Sequence, residues 1–214
     1  MSGPTIKICG IATPQALDAA IRAHAEYVGL NFFPPSPRYI SMKGAADLAA
    51  RAEGQITRVG LFVDAIDSAI AEAVAAASLD ILQLHGTETP QRAAQLRAQF
   101  GLPVWKALTV ATSADVDRAQ TFAGAADLIL FDAKTPKGAA LPGGMGLSFD
   151  WNLVAYWKAP IAWGLAGGLT ADNVAQAVRL TGTPLVDTSS GVESAPGIKD
   201  VDKIAAFCKA ARRT

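Results

Sequence analysis

The 214 residues carry 19 lysines and arginines against 19 aspartates and glutamates, and 50% are hydrophobic. That balance suits a single globular core and excludes the charge excess of a nucleic-acid or membrane-surface partner. No apolar run reaches the ~18 residues of a spanning helix, the Met-Ser-Gly-Pro-Thr-Ile-Lys start lacks a secretion signal's apolar stretch, and Cys9 and Cys208 are too few for a disulfide framework or a cysteine zinc site. A cytoplasmic location is expected.

In chain order, short apolar runs alternate with alanine-rich amphipathic stretches. TIKIC (5–9) is followed by a helical pattern over 14–25, YVGLNFF (27–33) by 42–53, TRVGLFV (57–63) by 65–78 and LDILQLH (79–85) by 90–100. PVWKAL (103–108) precedes 113–123, and ADLILFD (126–132) precedes a Gly- and Pro-rich stretch to residue 160, read as a long loop with one short helix around Trp151 to Trp157. PIAWGLAGG (160–168) precedes 171–181, and PLVDTSSG (184–191) precedes 201–213. Eight strand-helix repeats without a linker predict a single (β/α)8 barrel domain over residues 1–214. A doubly wound sheet is the structural rival, but its usual Gly-x-Gly-x-x-Gly turn is missing after the first strand, where only Gly10 stands.

Barrel enzymes gather chemistry at the C-terminal strand ends, and alternate strand residues share a face. Lys7 and Cys9 therefore share a face on the first strand, and the same parity points Asn31, Gln83, His85, Lys106, Asp132 and Asp187 inward. Repeated polar residues inside a barrel predict a wet pocket, because burying them unpaired is costly. Each has a plainer reading: Cys9 as core filler, His85 as a bonded core imidazole, Asp132 as a turn cap, and Lys7 with Asp187 as a buried ion pair. Cys208 reads as filler, His24 as surface, and Trp105, Trp151, Trp157 and Trp163 as packing residues.

Gly167 and Gly168 after the seventh strand, with Ser190 and Gly191 after the eighth, form a candidate phosphate cradle. The loop FFPPSPRYIS (32–41) has three prolines to stiffen the backbone that carries Arg38, whose guanidinium suits a carboxylate.

The ordered motifs KICGI, GLNFFPPSPRYIS, VGLFV, LQLHG, FDAKTP, PGGMGLSFDW, LAGGL and VDTSSGVESAPGIKD resemble the phosphoribosylanthranilate isomerases of tryptophan biosynthesis across most of the chain. The resemblance implies a barrel without cofactor or metal. Its substrate would be a small phosphosugar, N-(5-phosphoribosyl)anthranilate, rearranged to 1-(2-carboxyphenylamino)-1-deoxyribulose 5-phosphate. Residue by residue, it implies Cys9 as general base, Asp132 as general acid, Arg38 at the anthranilate carboxylate, and Gly167, Gly168, Ser190 and Gly191 at the phosphate. His85 and Asp187 would have supporting roles at the substrate. Met145 departs from the small residue more usual in that family, which bears on the shape of the loop after the sixth strand. The oligomeric state is open.

Such a pair needs opposed tuning: cysteine, ordinarily near ~8.5, lowered, with Lys7 as the means, and aspartate, ordinarily near ~3.9, raised by apolar neighbours such as Leu130 and Phe131. Two rivals stay in view. A histidine-pathway Amadori isomerase would use two aspartates and is disfavoured by Cys9, and a non-catalytic phosphate-ligand binder is disfavoured by having both Cys9 and Asp132.

Overall fold

A computed structural model describes residues 3–133, 148–155, 157–158 and 161–213. Eight strands form a closed barrel in chain order: β1 (Thr5–Cys9), β2 (Tyr27–Asn31), β3 (Thr57–Phe62), β4 (Ile81–Leu84), β5 (Val104–Val110), β6 (Leu128–Ala133), β7 (Ala162–Leu165) and β8 (Leu185–Thr188). All neighbours are parallel, and β1 closes on β8 with Lys7 opposite Asp187. The expected eight repeats are therefore the observed strands.

The helices are α1 (Pro14–Arg22), α2 (Met42–Ala52), α3 (Asp67–Ala77), α4 (Pro90–Phe100), α5 (Ser113–Asp117), α6 (Val174–Thr181) and α7 (Val201–Ala211). Their starts follow from local chemistry. Thr13 and Thr89 each accept a backbone N–H of the first turn, ahead of a proline whose missing donor costs nothing there. Ser41 caps α2 in the same way, and Ala45, Leu48, Ala49 and Ala52 then face the barrel at helical spacing. Burying a leucine such as Leu48 contributes about 1.5–3 kcal/mol.

Two expected elements differ. The pattern over 113–123 breaks into α5 and a 3-10 turn at Arg118–Phe122. The short helix expected near Trp151 is a single 3-10 turn, Trp151–Leu153. Met145 and most of the segment expected as a long loop lie outside the described residues. A hairpin absent from the sequence reading follows β8: β9 (Glu193–Ala195) and β10 (Ile198–Lys199), antiparallel.

The core has two parts. Outward-facing strand residues such as Ile6, Ile8, Leu30 and Phe131 pack against the helices. Inside the barrel, Val59, Ile81, Trp105, Ala107, Leu128, Leu130 and Leu185 form a second apolar cluster, with Tyr27 packed against it. Tyr27 meets Trp105 edge-on at 5.0 Å.

This corrects the parity read for β5. Trp105 and Ala107 point inward, so Lys106 points out of the barrel, where its ammonium donates to Gly86 O at 2.7 Å and pairs with Glu88 at 2.7 Å. A buried lysine needs counter-charge and acceptors, and the loop after β4 supplies both.

Candidate active site

Above the apolar cluster, the same inward rows become polar. On β8 Leu185 is followed two residues on by Asp187, on β6 Leu130 by Asp132, and on β4 Ile81 by Gln83. Cys9, Asn31, Arg38, Gln83, His85, Asp132, Asp187, Gly167, Gly168 and Ser190 all line one solvent-open cavity of about 660 Å³. Of the nine residues to which the family resemblance assigns roles, eight line it. The ninth, Gly191, packs against the loop after β7, since a Cβ there would lie 1.9 Å from Leu169 O.

Cys9 ends β1 opposite Gly29 of β2. A Cβ at position 29 would lie 2.8 Å from Cys9 Sγ and 3.1 Å from Lys7 Nζ, so glycine is what lets the thiol and ammonium heads share this space. Lys7 is fully buried and its Nζ lies 2.9 Å from Asp187 Oδ2. Burial alone would lower Lys7, but Asp187 and Cys9 outweigh it and hold the ammonium above its ordinary range. The expected lowering of Cys9 is not found. Burial pushes the thiol up, with Asp187 adding to that effect and Lys7 and Lys199 only partly opposing it. Burial also pushes the Asp187 carboxyl up, against Lys7, and its Oδ1 is buried without a hydrogen-bond partner.

Asp132 near the end of β6 accepts the Ala133 N–H on Oδ1 at 2.8 Å. Its Oδ2 lies 3.1 Å from His85 Nε2, a close pairing that lacks the alignment of a hydrogen bond. Gln83 Nε2 lies 3.4 Å from the other ring nitrogen of His85. His85 therefore sits between the Gln83 amide and the Asp132 carboxylate.

Arg38 is buried. Its loop is built by the end of β2: Asn31 Oδ1 accepts the Phe33 N–H at 2.9 Å, and Asn31 Nδ2 donates to Ser36 Oγ, which accepts the Arg38 N–H. The guanidinium pairs with Glu193 through Nε at 2.7 Å and Nη2 at 2.8 Å. Sequence reasoning missed Glu193 and its partner Lys199. The available signal was Pro196-Gly197 between two strand-compatible triplets, a turn that would have drawn both charges together.

After β7, Gly167 and Gly168 adopt φ +82° and +64°. A side chain at 167 would meet Ala133 N at 2.4 Å. Asn173 ties this turn by accepting the Thr170 N–H and donating to Gly168 O at 2.9 Å. Thr188 Oγ1 joins the two loops by donating to Leu169 O at 2.8 Å. The result is a backbone-lined concavity suited to a phosphate. Among the described residues, no group of three or more His, Cys, Asp or Glu side chains could hold a metal ion.

Comparison with known proteins identifies the family that this chain resembles in sequence and fold. The family model described as N-(5'phosphoribosyl)anthranilate (PRA) isomerase matches residues 6–210. An N-(5'-phosphoribosyl)anthranilate isomerase of Paramagnetospirillum magneticum is 55% identical over 207 residues, covering 97% of this chain and 96% of that protein. The crystal structure of the phosphoribosyl anthranilate isomerase of Thermotoga maritima superposes with TM-score 0.89 at 32% identity, covering 99% of this chain and all 100% of that one. A phosphoribosyl anthranilate isomerase in complex with reduced 1-(o-carboxyphenylamino)-1-deoxyribulose 5-phosphate superposes at 0.86 with 31% identity, covering 99% of this chain and 100% of that one.

Proposed function

Given that the chain belongs to the N-(5'-phosphoribosyl)anthranilate isomerase family and is an isomerase of tryptophan biosynthesis, we propose that Cys9 is its general base and Asp132 its general acid. The observation that carries this assignment is that both groups stand at the C-terminal ends of barrel strands and line one cavity.

The reaction turns an aldosylamine into an aminoketose. Protonated Asp132 donates to the furanose ring oxygen, the C1–O bond breaks, and a protonated imine forms. Cys9 as thiolate then removes the proton from C2, and the resulting enolamine tautomerises to the ketone. Asp132 afterwards regains a proton from solvent and Cys9 releases one. Because burial keeps the resting thiol protonated, the base form is scarce at neutral pH. Lys7 is the cation that stabilises it once formed.

The substrate phosphate lies against Gly167, Gly168 and Ser190, with Gly191 shaping the second loop. The anthranilate carboxylate meets Arg38, and His85 and Asp187 act in support, His85 by facing Asp132 and Asp187 by fixing Lys7. A cytoplasmic location belongs to the same reading and is supported by the biosynthetic, small-molecule chemistry.

Fluorescence decay of freshly made phosphoribosylanthranilate tests the assignment. Cys9→Ser and Asp132→Asn are each expected to lose turnover, and near-normal rates in both would overturn it. Arg38→Ala is expected to raise KM more than it lowers kcat, and an unchanged KM would remove the carboxylate anchor.

A further inference from the structure

The hairpin β9–β10 packs two charged groups that the chemistry above leaves unused against Arg38 of the cavity lining. Glu193 and Lys199 have side chains only 5% and 2% exposed, which is unusual for residues of a short surface hairpin. The turn between them is pressed onto the loop that carries Arg38. Gly197 has φ +81°, and a Cβ there would lie 2.3 Å from Pro37 O. On its other side Arg38 is equally confined, because a Cβ at Gly10 would lie 2.8 Å from Arg38 Cδ.

Glu193 connects these parts. Its two oxygens take Nε and Nη2 of Arg38 in a fork that fixes the guanidinium plane, and Oε1 also accepts from Lys199 Nζ at 2.7 Å. The same ammonium donates to Ser189 O at 2.9 Å and Ser189 Oγ at 3.1 Å, and that hydroxyl donates to Cys9 O at 3.1 Å. The end of β1 and the loops after β2 and β8 are thus joined in one network through Glu193 and Lys199. Of the three, Arg38 lines the cavity, with Glu193 and Lys199 packed against it.

We propose that Glu193 is a positioning residue: it holds Arg38 in the orientation that receives the substrate's aromatic carboxylate, with Lys199 anchoring Glu193 to the loop after β8. This rests on the reading of Arg38 as the carboxylate anchor. A purely structural brace would support every ligand equally, whereas a positioning role appears only for ligands that bear the carboxylate.

Calorimetry with two stable ligands separates these cases: reduced 1-(2-carboxyphenylamino)-1-deoxyribulose 5-phosphate and its counterpart without the carboxylate. The unaltered enzyme is expected to prefer the carboxylated ligand by about tenfold or more, the scale of a charged hydrogen-bonded contact. Arg38→Ala is expected to erase that preference. Glu193→Ala is expected to erase most of it while leaving the affinity for the other ligand unchanged. Glu193→Gln, which keeps the shape and one acceptor, is expected to lose part of it and decides the matter if the alanine variant does not fold. A preference retained in Arg38→Ala would overturn the anchor itself. A preference lost there but kept in full by both Glu193 variants would overturn the positioning role alone.

Discussion

The lower and upper halves of the barrel interior are made by the same strands in the same parity, yet one is dry and the other charged. The step from Leu130 to Asp132, or from Leu185 to Asp187, is a single side-chain repeat, about 6.6 Å along a strand. That difference shows how the fold separates stability from chemistry. The lower cluster holds the barrel closed without charged groups to satisfy, and the upper layer can then carry groups whose burial costs stability.

Altering neighbours in one row tests this division of labour most directly. Asp132→Ala is expected to lower kcat by about 10²–10⁴, the usual contribution of a general acid, with the melting temperature held or raised. A kcat within threefold or so of normal would contradict the division. Lys7→Met, at the boundary between the halves, leaves Asp187 buried beside no cation. Denaturant unfolding at neutral pH should register a loss of about 3–5 kcal/mol. That loss should shrink in acid, because burial already raises the Asp187 pKa and protonation removes the unpaired charge. Leu130→Ala, in the lower half, should cost about 2–5 kcal/mol while molecules that stay folded turn over normally. If it abolished turnover per folded molecule, the two layers would not be separable.

The smallest effect concerns a group remote from both layers. Burial pushes the Cys208 thiol on α7 up to about 11 from 9.0, with Arg212 opposing. A raised thiol pKa contributes stability in full below the unfolded value and loses it as pH climbs through the folded one. Between pH 9 and about 11, stability should therefore fall by up to about 1.4 kcal/mol per unit on its account. Cys208→Ala should flatten that part of the profile in pH-dependent chemical denaturation, leaving the share due to Cys9. An unchanged slope would show that Cys208 does not set it.

Much of this was legible in the sequence because strand alternation and turn chemistry are local. The eight strands, the inward row through Cys9, Asp132 and Asp187, and the glycines after β7 follow from spacing alone. Position 106 misled because PVWKAL offers two large residues side by side. Only packing decides that Trp105 fills the barrel while Lys106 reaches Glu88, a residue on another loop. The thiol misled for a related reason. Lys7 does stand beside Cys9, but the depth of burial that outweighs it is a property of the closed barrel. Glu193 and Lys199 look like surface charges until the hairpin folds back over Pro37.

The seam between β1 and β8 has a consequence for synthesis. Lys7 and Asp187 are 180 positions apart, so a nascent polypeptide displays its first strand long before the counter-ion for that ammonium exists. Premature termination ahead of β8 removes both the strand on which β1 closes and the carboxylate that the buried ammonium pairs with.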